Sequence, residues 1–168
     1  VRSRGLGDVY KRQEPYYVSK EALEKLKEKL DFLKNTERKR IANKIKEAMS
    51  LGDLSENSEY QAAKEEQALN ESKIAELEDL LRRAVLIKKN KDNSIVSVGS
   101  KVEVEKNGKK FNFMIVGPAE SDPENGFISN ESLLGKALLN KKRGEVVIIK
   151  LPNNQEIKYK IINISSGS

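Results

Sequence analysis

Two carboxylates stand three residues apart in segment 52–60, which reads GDLSENSEY. Across a tight turn, the side chains of Asp53 and Glu56 can both point at one external cation. Mg²⁺ is the natural candidate, because it takes oxygen ligands and commonly binds one or two protein carboxylates with waters and substrate phosphates. Two exposed carboxylates form an incomplete site, so the remaining oxygens would come from another molecule.

Helix capping is the alternative explanation for the same residues. Asp53 followed by Glu56 has the spacing of a capping box, and Ser55 is an equally good N-cap for a helix that follows. On this short pattern alone, capping explains the segment more simply than metal binding does.

The composition limits the chemistry that the chain can perform. The sequence has no Cys and no His, which excludes thiol nucleophiles, disulfides, zinc sites and imidazole proton transfer, and leaves carboxylate, hydroxyl and ammonium groups. Charged residues make up 35% of the chain and aromatic residues 5%, which favours long solvated helices over an enzyme with a deep apolar pocket. The formal net charge of +6 suits a partner rich in phosphate or carboxylate. No apolar run approaches the roughly 20 residues that cross a bilayer, so we expect a cytoplasmic protein without a membrane partner.

Segment 52–60 lies between two helical patterns that are each apolar on one side. The first pattern begins after Ser19, a predicted N-cap, and ends at Gly52, and its apolar stripe consists of Leu23, Leu26, Leu30, Leu33, Ile41, Ile45 and Ala48. The second is a heptad stripe that consists of Tyr60, Ala63, Gln67, Asn70, Ile74, Leu77, Leu81 and Ala84. Neither helix can bury its stripe alone, so the two should pair as an antiparallel coiled-coil hairpin with the acidic segment at its tip.

After residue 88 the period changes from helical to strand-like. Strands are predicted at 95–98, 101–104, 111–116, 146–151 and 157–164, with a β-turn at Asn107-Gly108 and one short helix within 130–139. The predicted fold class is an all-α antiparallel coiled-coil hairpin followed by a small α+β domain with a mainly antiparallel sheet. Its predicted divisions are a non-native leader at 1–14, the hairpin at 15–88, a linker at 89–94 and the α+β domain at 95–168.

Segment 52–67 resembles the tip signature of the bacterial Gre transcript cleavage factors, and is most similar to the GreA type. Residues 128–129, Ser132, 135–138 and 144–147 resemble the FKBP-like C-terminal domain of that family, so the resemblance runs from about Tyr16 to Ile164. It implies a transcription elongation factor that binds backtracked RNA polymerase through the secondary channel. Such a factor stimulates the polymerase's own metal-dependent cleavage of the nascent RNA 3′ end, close to the DNA of the elongation complex, and works as a monomer.

The resemblance also assigns roles to residues of the tip. Asp53 and Glu56 would help to hold a second Mg²⁺ beside the polymerase's own metal, which makes the protein an accessory factor and not an enzyme. Ser55 and Glu59 would orient these carboxylates or a water molecule.

Basic residues near the tip have two explanations. Lys44 and Lys64 would contact RNA phosphates, or they belong to a solvated helix face. Met49 stands where the family often carries Arg, so part of the RNA-facing basic patch is expected to be missing.

Two other functions fit the same elements. A factor of this shape could plug the polymerase channel without promoting cleavage, although the presence of both acids argues against that function. The FKBP-like domain could be a prolyl isomerase, but the chain has no Trp and the aromatic residues of that half are Phe111, Phe113, Phe127 and Tyr159. Docking on the polymerase rim is the role that we expect for this domain.

Overall fold

The computed structural model describes residues 14–52, 57–89 and 92–167. The chain divides into two compact units. One is a helical unit centred on Leu23–Ala84, and the other combines Pro15–Ala22 with the chain from Val85 onward.

The helical unit is an antiparallel hairpin. Its elements are α1 (Lys20–Asp31), a π-helical segment (Phe32–Glu37), α2 (Arg38–Met49) and α3 (Ser58–Arg83). Hydrogen bonds join Asn70 to Leu33 near one end of the hairpin and Asn57 to Ala48 near the other. The higher residue number of α3 thus pairs with the lower number on the other side, so the two sides run antiparallel. The predicted hairpin is confirmed.

The two predicted stripes form the interior of the hairpin. Leu33, Ile74 and Leu77 are buried together, with Leu26, Leu30 and Leu80 packed against them. Nearer the tip, the small side chains of Ala48 and Ala63 are buried instead. The apolar residues are therefore larger at the open end, as the sequence predicts.

The π-helical segment is a feature that the sequence patterns did not predict. Leu33 and Ile41 are both buried, yet they are eight residues apart, whereas two turns of an α-helix take about seven. At 3.6 residues per turn, eight residues would rotate Ile41 by about 80° away from the side on which Leu33 lies. A π-turn bonds residue i to i+5 and takes up an additional residue, so it returns Ile41 to the interior.

The second unit contains a five-stranded sheet and a short helix. Its main elements are β3 (Ser100–Lys106), β4 (Lys109–Val116), β5 (Phe127–Ser129), α4 (Leu133–Leu138), β6 (Val146–Lys150) and β7 (Glu156–Ser166), following β1 (Tyr16–Val18) and β2 (Ala84–Leu86), which pair with each other. The strand order is β5-β4-β3-β7-β6, and each neighbouring pair is antiparallel except β4 with β5. This is the small α+β domain that the sequence predicts.

One apolar core holds this unit together. The fully buried residues on the inner face of the sheet include Val102, Val104, Ile115 and Ile161, and Leu138 covers them from α4. At the predicted turn, Asn107 and Gly108 both have positive φ (52° and 76°), which confirms the tight hairpin between β3 and β4.

The predicted strand at 95–98 is wrong. Ile95 makes only an isolated bridge with Lys142, and Val96 exchanges backbone hydrogen bonds with Asn140 and Lys141. The backbone of this segment is therefore satisfied by the loop after α4 and not by the sheet. The short strands β1, β2 and β5, each of three residues, were not predicted.

Candidate functional site

The predicted acidic tip connects α2 to α3. Asp53, Ser55 and Glu56 lie outside the described residues, so the structure defines the tip through the two helix ends that flank it. Glu59, Lys44 and Lys64 are described.

The end of α2 is closed by a tight turn. The helix ends at Met49, and the Ser50 amide and hydroxyl both donate to the Glu47 carbonyl, at 3.1 and 2.6 Å. Gly52 follows with φ of +110°, a backbone conformation that only glycine adopts without strain. The chain therefore leaves the helix a few residues before Gly52, the predicted end.

Asn57 joins the two helix ends. Its Oδ1 accepts a hydrogen bond from the Tyr60 amide at 3.1 Å, which caps the start of α3. Its Nδ2 donates to the Ala48 carbonyl in the last turn of α2 at 2.7 Å, and the same carbonyl also accepts from the Leu51 amide at 3.2 Å. One side chain thus fixes both ends of the segment that carries the acids.

This contact decides the capping alternative. The N-cap of α3 is Asn57 and the helix begins at Ser58, so the alternative in which Ser55, or Asp53 with Glu56, caps this helix is wrong. The carboxylates of Asp53 and Glu56 are not needed to start α3.

Glu59 lies in the first turn of α3 and is exposed. A carboxylate there is stabilised by the free amides and the dipole of the helix N-terminus. The Glu59 side chain also lines a groove of about 280 Å³ between α2 and α3, together with Lys44, Glu47, Glu66 and three alanines. Among the residues that the structure describes, no group of three or more acidic side chains is placed to hold a metal ion.

Lys44 projects from α2 into an interhelical ion pair. Its ammonium lies 2.9 Å from the Glu66 carboxylate, and Arg40 contacts the same carboxylate. Lys44 and then Arg40 hold the pKa of Glu66 below its ordinary value of 4.5. Half of the Lys44 side chain is exposed, so it can also face an external phosphate, which would compete with Glu66 for the ammonium.

Lys64 lies on α3 and is exposed. Its ammonium donates to the Gln67 side-chain oxygen, one turn further along the same helix, at 2.9 Å. A neutral amide holds a lysine less strongly than a carboxylate does, so Lys64 is more easily diverted to an external anion than Lys44.

The flank of the tip on the α2 side is apolar. Met49 is 53% exposed and Leu51 66% exposed. A flexible apolar side chain therefore faces solvent at position 49, where part of the basic patch is expected to be missing.

Three of the four aromatic side chains singled out in the second unit lie together on the sheet. Phe111 stacks on Phe113 with ring centroids 6.4 Å apart, and Tyr159 meets Phe113 edge to face at 6.4 Å. Lys106 lies over the Tyr159 ring, 5.7 Å from its centroid. Phe127 is on β5, at the edge of the sheet, and is not part of these ring contacts.

Sequence reasoning missed a second polar contact between the helices. Asn70 is buried, and its Nδ2 donates to the Leu33 carbonyl at 3.3 Å. The sequence signal that could have found this contact is Asn70 in the second stripe, opposite the eight-residue step from Leu33 to Ile41 in the first stripe.

No helix in the described part of the chain is long and apolar enough to cross a membrane.

Comparisons with known proteins identify the class of protein to which this architecture belongs. Residues 16–86 match the family model for the N-terminal domain of a transcription elongation factor, and residues 91–166 match that of the GreA/GreB C-terminal domain. The chain belongs to the GreA/GreB family of transcription elongation factors.

Curated relatives support this assignment over nearly the whole chain. A transcription elongation factor GreA of Clostridium acetobutylicum is 45% identical over 156 residues, which is 91% of this chain and 98% of the relative. A GreA of Macrococcus caseolyticus is 46% identical with the same coverage.

Solved structures of related proteins also match. The GreA factor homolog 1 protein of Thermus thermophilus is 29% identical, with 91% of this chain and all of that chain covered and a TM-score of 0.40. The homologous protein of Thermus aquaticus is 32% identical, with 92% and 99% covered and a TM-score of 0.39. Because both TM-scores are below 0.5, the family assignment rests on the sequence matches.

Proposed function

We propose that this protein binds RNA polymerase whose transcript has slid backward, inserting its hairpin through the secondary channel. There it stimulates the polymerase's own cleavage of the nascent RNA 3′ end, so that elongation resumes. The observation that carries this proposal is the Asn57 contact with both helix ends. Because Asn57 supplies the N-cap of α3, this role does not fall to Asp53 or Glu56.

Family membership supports the proposal at the level of the whole chain. Both domains of the GreA/GreB family are matched, and the relatives carry the name transcription elongation factor. That class of function supports an RNA polymerase partner, and the transcript 3′ end and the nearby DNA are part of the proposal.

The chemistry of the proposed donor set fits Mg²⁺. Asp53 and Glu56 offer hard carboxylate oxygens, whereas thiolate and imidazole ligands, which favour other metals, are absent because the chain has no Cys and no His. A second Mg²⁺, shared with the polymerase, would activate water and stabilise the leaving oxygen. Two carboxylates bind such an ion weakly on their own, so we expect no tight magnesium site in the free protein.

The remaining tip residues act by positioning and by charge. Asn57 sets the distance between the two ends of the acidic segment, and Ser55 and Glu59 orient the carboxylates. Lys64, and Lys44 once it releases Glu66, contact RNA phosphates. The protein is thus an accessory factor that works as a cytoplasmic monomer, with its second unit docked on the polymerase rim.

Cleavage of backtracked RNA by stalled polymerase tests the proposal. Asp53→Asn and Glu56→Gln should each lower the stimulated rate by at least about tenfold, because even the outer partners of metal ligands cost 10- to 100-fold when replaced. Glu76→Gln, which neutralises an exposed carboxylate elsewhere on α3, is the matched control.

Three results would contradict the proposal. Equal rates for all these variants would favour a channel plug that does not promote cleavage. Hydrolysis of RNA by the protein alone would make it a nuclease. Proline isomerisation catalysed by the intact chain would point to the aromatic cluster of the second unit instead.

A further inference from the structure

The π-helical segment is held at both of its ends by two consecutive residues of α3. The bond that defines the wide turn runs from the Arg38 amide to the Leu33 carbonyl. Asn70 donates its side-chain amide to that same carbonyl at 3.3 Å. Glu71, the next residue, accepts two hydrogen bonds from the Arg38 guanidinium, at 2.7 and 2.8 Å.

The two helices differ by one residue over the same stretch of the hairpin. From the π-helical segment into α2, the step between the buried Leu33 and Ile41 is eight positions. On α3, the step between the buried Ala63 and Asn70 is seven positions. A heptad stripe and a stripe with one additional residue stay in phase only if that residue is absorbed locally. The π-turn absorbs it, and its position beside Asn70 determines where.

The Asn70 side chain is polar but buried, which calls for a physical explanation. It is 6% exposed, whereas Gln67, the other polar residue in the middle of the stripe, is only half-buried, and a buried amide costs free energy unless it is hydrogen-bonded. A single buried Asn in a coiled coil is known to fix the register of the helices at a cost in stability. Here its partner is a main-chain carbonyl at a defined turn, so the contact specifies rotation as well as register.

We propose that Asn70 is a positioning residue. Together with the π-turn, it sets the rotation of α2 against α3, and thereby the direction in which the tip presents Asp53 and Glu56. Without the Asn70 amide, only the exposed Arg38–Glu71 pair holds the additional residue at this place. Displacement of that residue along the helix would rotate α2 by up to about 80°. This inference rests on the proposed function for its effect on cleavage, but its effect on the hairpin is independent of that function.

The test compares two Asn→Leu variants and one compensating deletion. Asn70→Leu removes the amide, while Asn43→Leu makes the same change at an exposed position of α2. Deleting the exposed Thr36 turns the eight-residue spacing into seven, which a plain α-helix keeps in phase. The deletion combined with Asn70→Leu should therefore restore the rotation without the π-turn.

Cleavage of backtracked RNA is measured against the concentration of the factor. Asn70→Leu should lower the maximal rate about tenfold or more, because a displacement of about 1 Å can cost 100-fold, while the half-saturating concentration stays within about twofold. Asn43→Leu should match the parent protein, and the Thr36 deletion should restore the rate of Asn70→Leu. A merely structural role would instead raise the half-saturating concentration and leave the deletion without benefit.

A spin-label distance measurement tests the same inference without polymerase. Because the chain has no Cys, Ala42→Cys and Gln61→Cys give a single labelled pair on exposed positions of α2 and α3. The distance distribution should shift or broaden with Asn70→Leu and return with the added Thr36 deletion. An unchanged distribution would overturn the inference. If Asn70→Leu does not fold, failure of the compensated variant to reproduce the parent distribution would overturn it equally.

The two proposals can fail separately. If the unaltered protein does not stimulate cleavage, the proposed function is refuted. The distance measurement would still decide the role of Asn70.

Discussion

The hairpin and the second unit hold their elements together by different means. In the hairpin, side chains join the first helical arm, α1 to α2, to α3: the apolar interior around Leu33, Ile74 and Leu77, and a set of exposed ion pairs. These pairs are Lys34–Glu78, Arg38–Glu71, Arg40–Glu66 and Lys44–Glu66. In the second unit, backbone hydrogen bonds join β3 to β4 and β7 along nearly its whole length, above an apolar core. Register is therefore fixed residue by residue in the sheet, but by a few named side chains in the hairpin.

Because of this difference, the hairpin and the second unit should respond to different substitutions and solution conditions. Exposed ion pairs contribute little to stability and respond to salt and pH, whereas buried apolar side chains respond to neither in the same way. Single polar substitutions and solution conditions should therefore act on the hairpin, and large-to-small apolar substitutions should act most strongly on the sheet.

The largest expected effect is in the core of the second unit. Ile161→Ala should lower the free energy of unfolding of this unit by about 2–5 kcal/mol, because it removes buried methyl groups and leaves a cavity. Hydrogen exchange of the β3 amides measures the change. Ile148→Ala, at a strand position that is 54% exposed, is the control. Equal effects of the two substitutions would show that the sheet does not depend on its core as described.

A smaller effect is expected from the hydrogen bonds at the tip. Asn57→Ala should lower the stability of the tip end of the hairpin by about 1–2 kcal/mol, since it removes the N-cap of α3 and leaves the Ala48 carbonyl without this donor. Amide exchange in the first turn of α3 reports the loss. Asn43→Ala, on the exposed face of α2, should leave that exchange unchanged. Similar protection in both variants would mean that Asn57 does not hold the tip.

Acid should weaken the hairpin through the same ion pairs. Arg38 holds the pKa of Glu71 below 4.5, and Lys44 with Arg40 does the same for Glu66. A lowered pKa in the folded state adds stability above the ordinary value, and this contribution is lost as the pH falls through the lower value. The helical melting temperature, followed by circular dichroism, should therefore drop between about pH 5 and pH 3.

The control for this effect removes one titrating group. Glu71→Gln should flatten the pH dependence of melting, whereas Glu76→Gln should not, because Glu76 has no ion pair with a described residue. If the melting temperature depends on pH as steeply in Glu71→Gln as in the parent chain, the acid effect does not come from the Arg38–Glu71 pair.

The smallest effect is expected at Met49. Met49→Arg places a cation on the exposed flank of the tip, which should lower the half-saturating concentration in the cleavage assay about two- to fivefold. It should also increase the slope of log affinity against log salt concentration by about the amount that one phosphate contact contributes. Met49→Gln adds polarity without charge and is the control. No change in the salt dependence would show that this flank does not approach the RNA.

Much of the hairpin could be predicted because its signals are local. The stripes identified both helices, and Ser19 caps the first one through the Ala22 amide, as expected. The stripe does not reveal the π-turn, because the eight-residue step from Leu33 to Ile41 also equals two four-residue steps. Only the comparison of that step with the seven-residue step on the partner helix reveals the additional residue.

The second unit shows where local patterns are insufficient. Val96 is as fully buried as a central strand residue, yet its segment bonds to the loop after α4, a contact between residues about 45 positions apart. The three-residue strands carry too few residues for alternation to be visible. In the tip, the sequence suggested Asp53 or Ser55 as the N-cap, and the structure shows Asn57 in that position instead.

The Asn57 contact ties the end of α2 to the start of α3 through one side chain. Ser50 and Gly52 complete the turn at the end of α2, so these three residues are the ones that the meeting of the helices requires. Segments of the same length that keep them and carry other side chains at 53–56 should leave the hairpin assembled. The protein could in this way carry different reactive groups to the same destination.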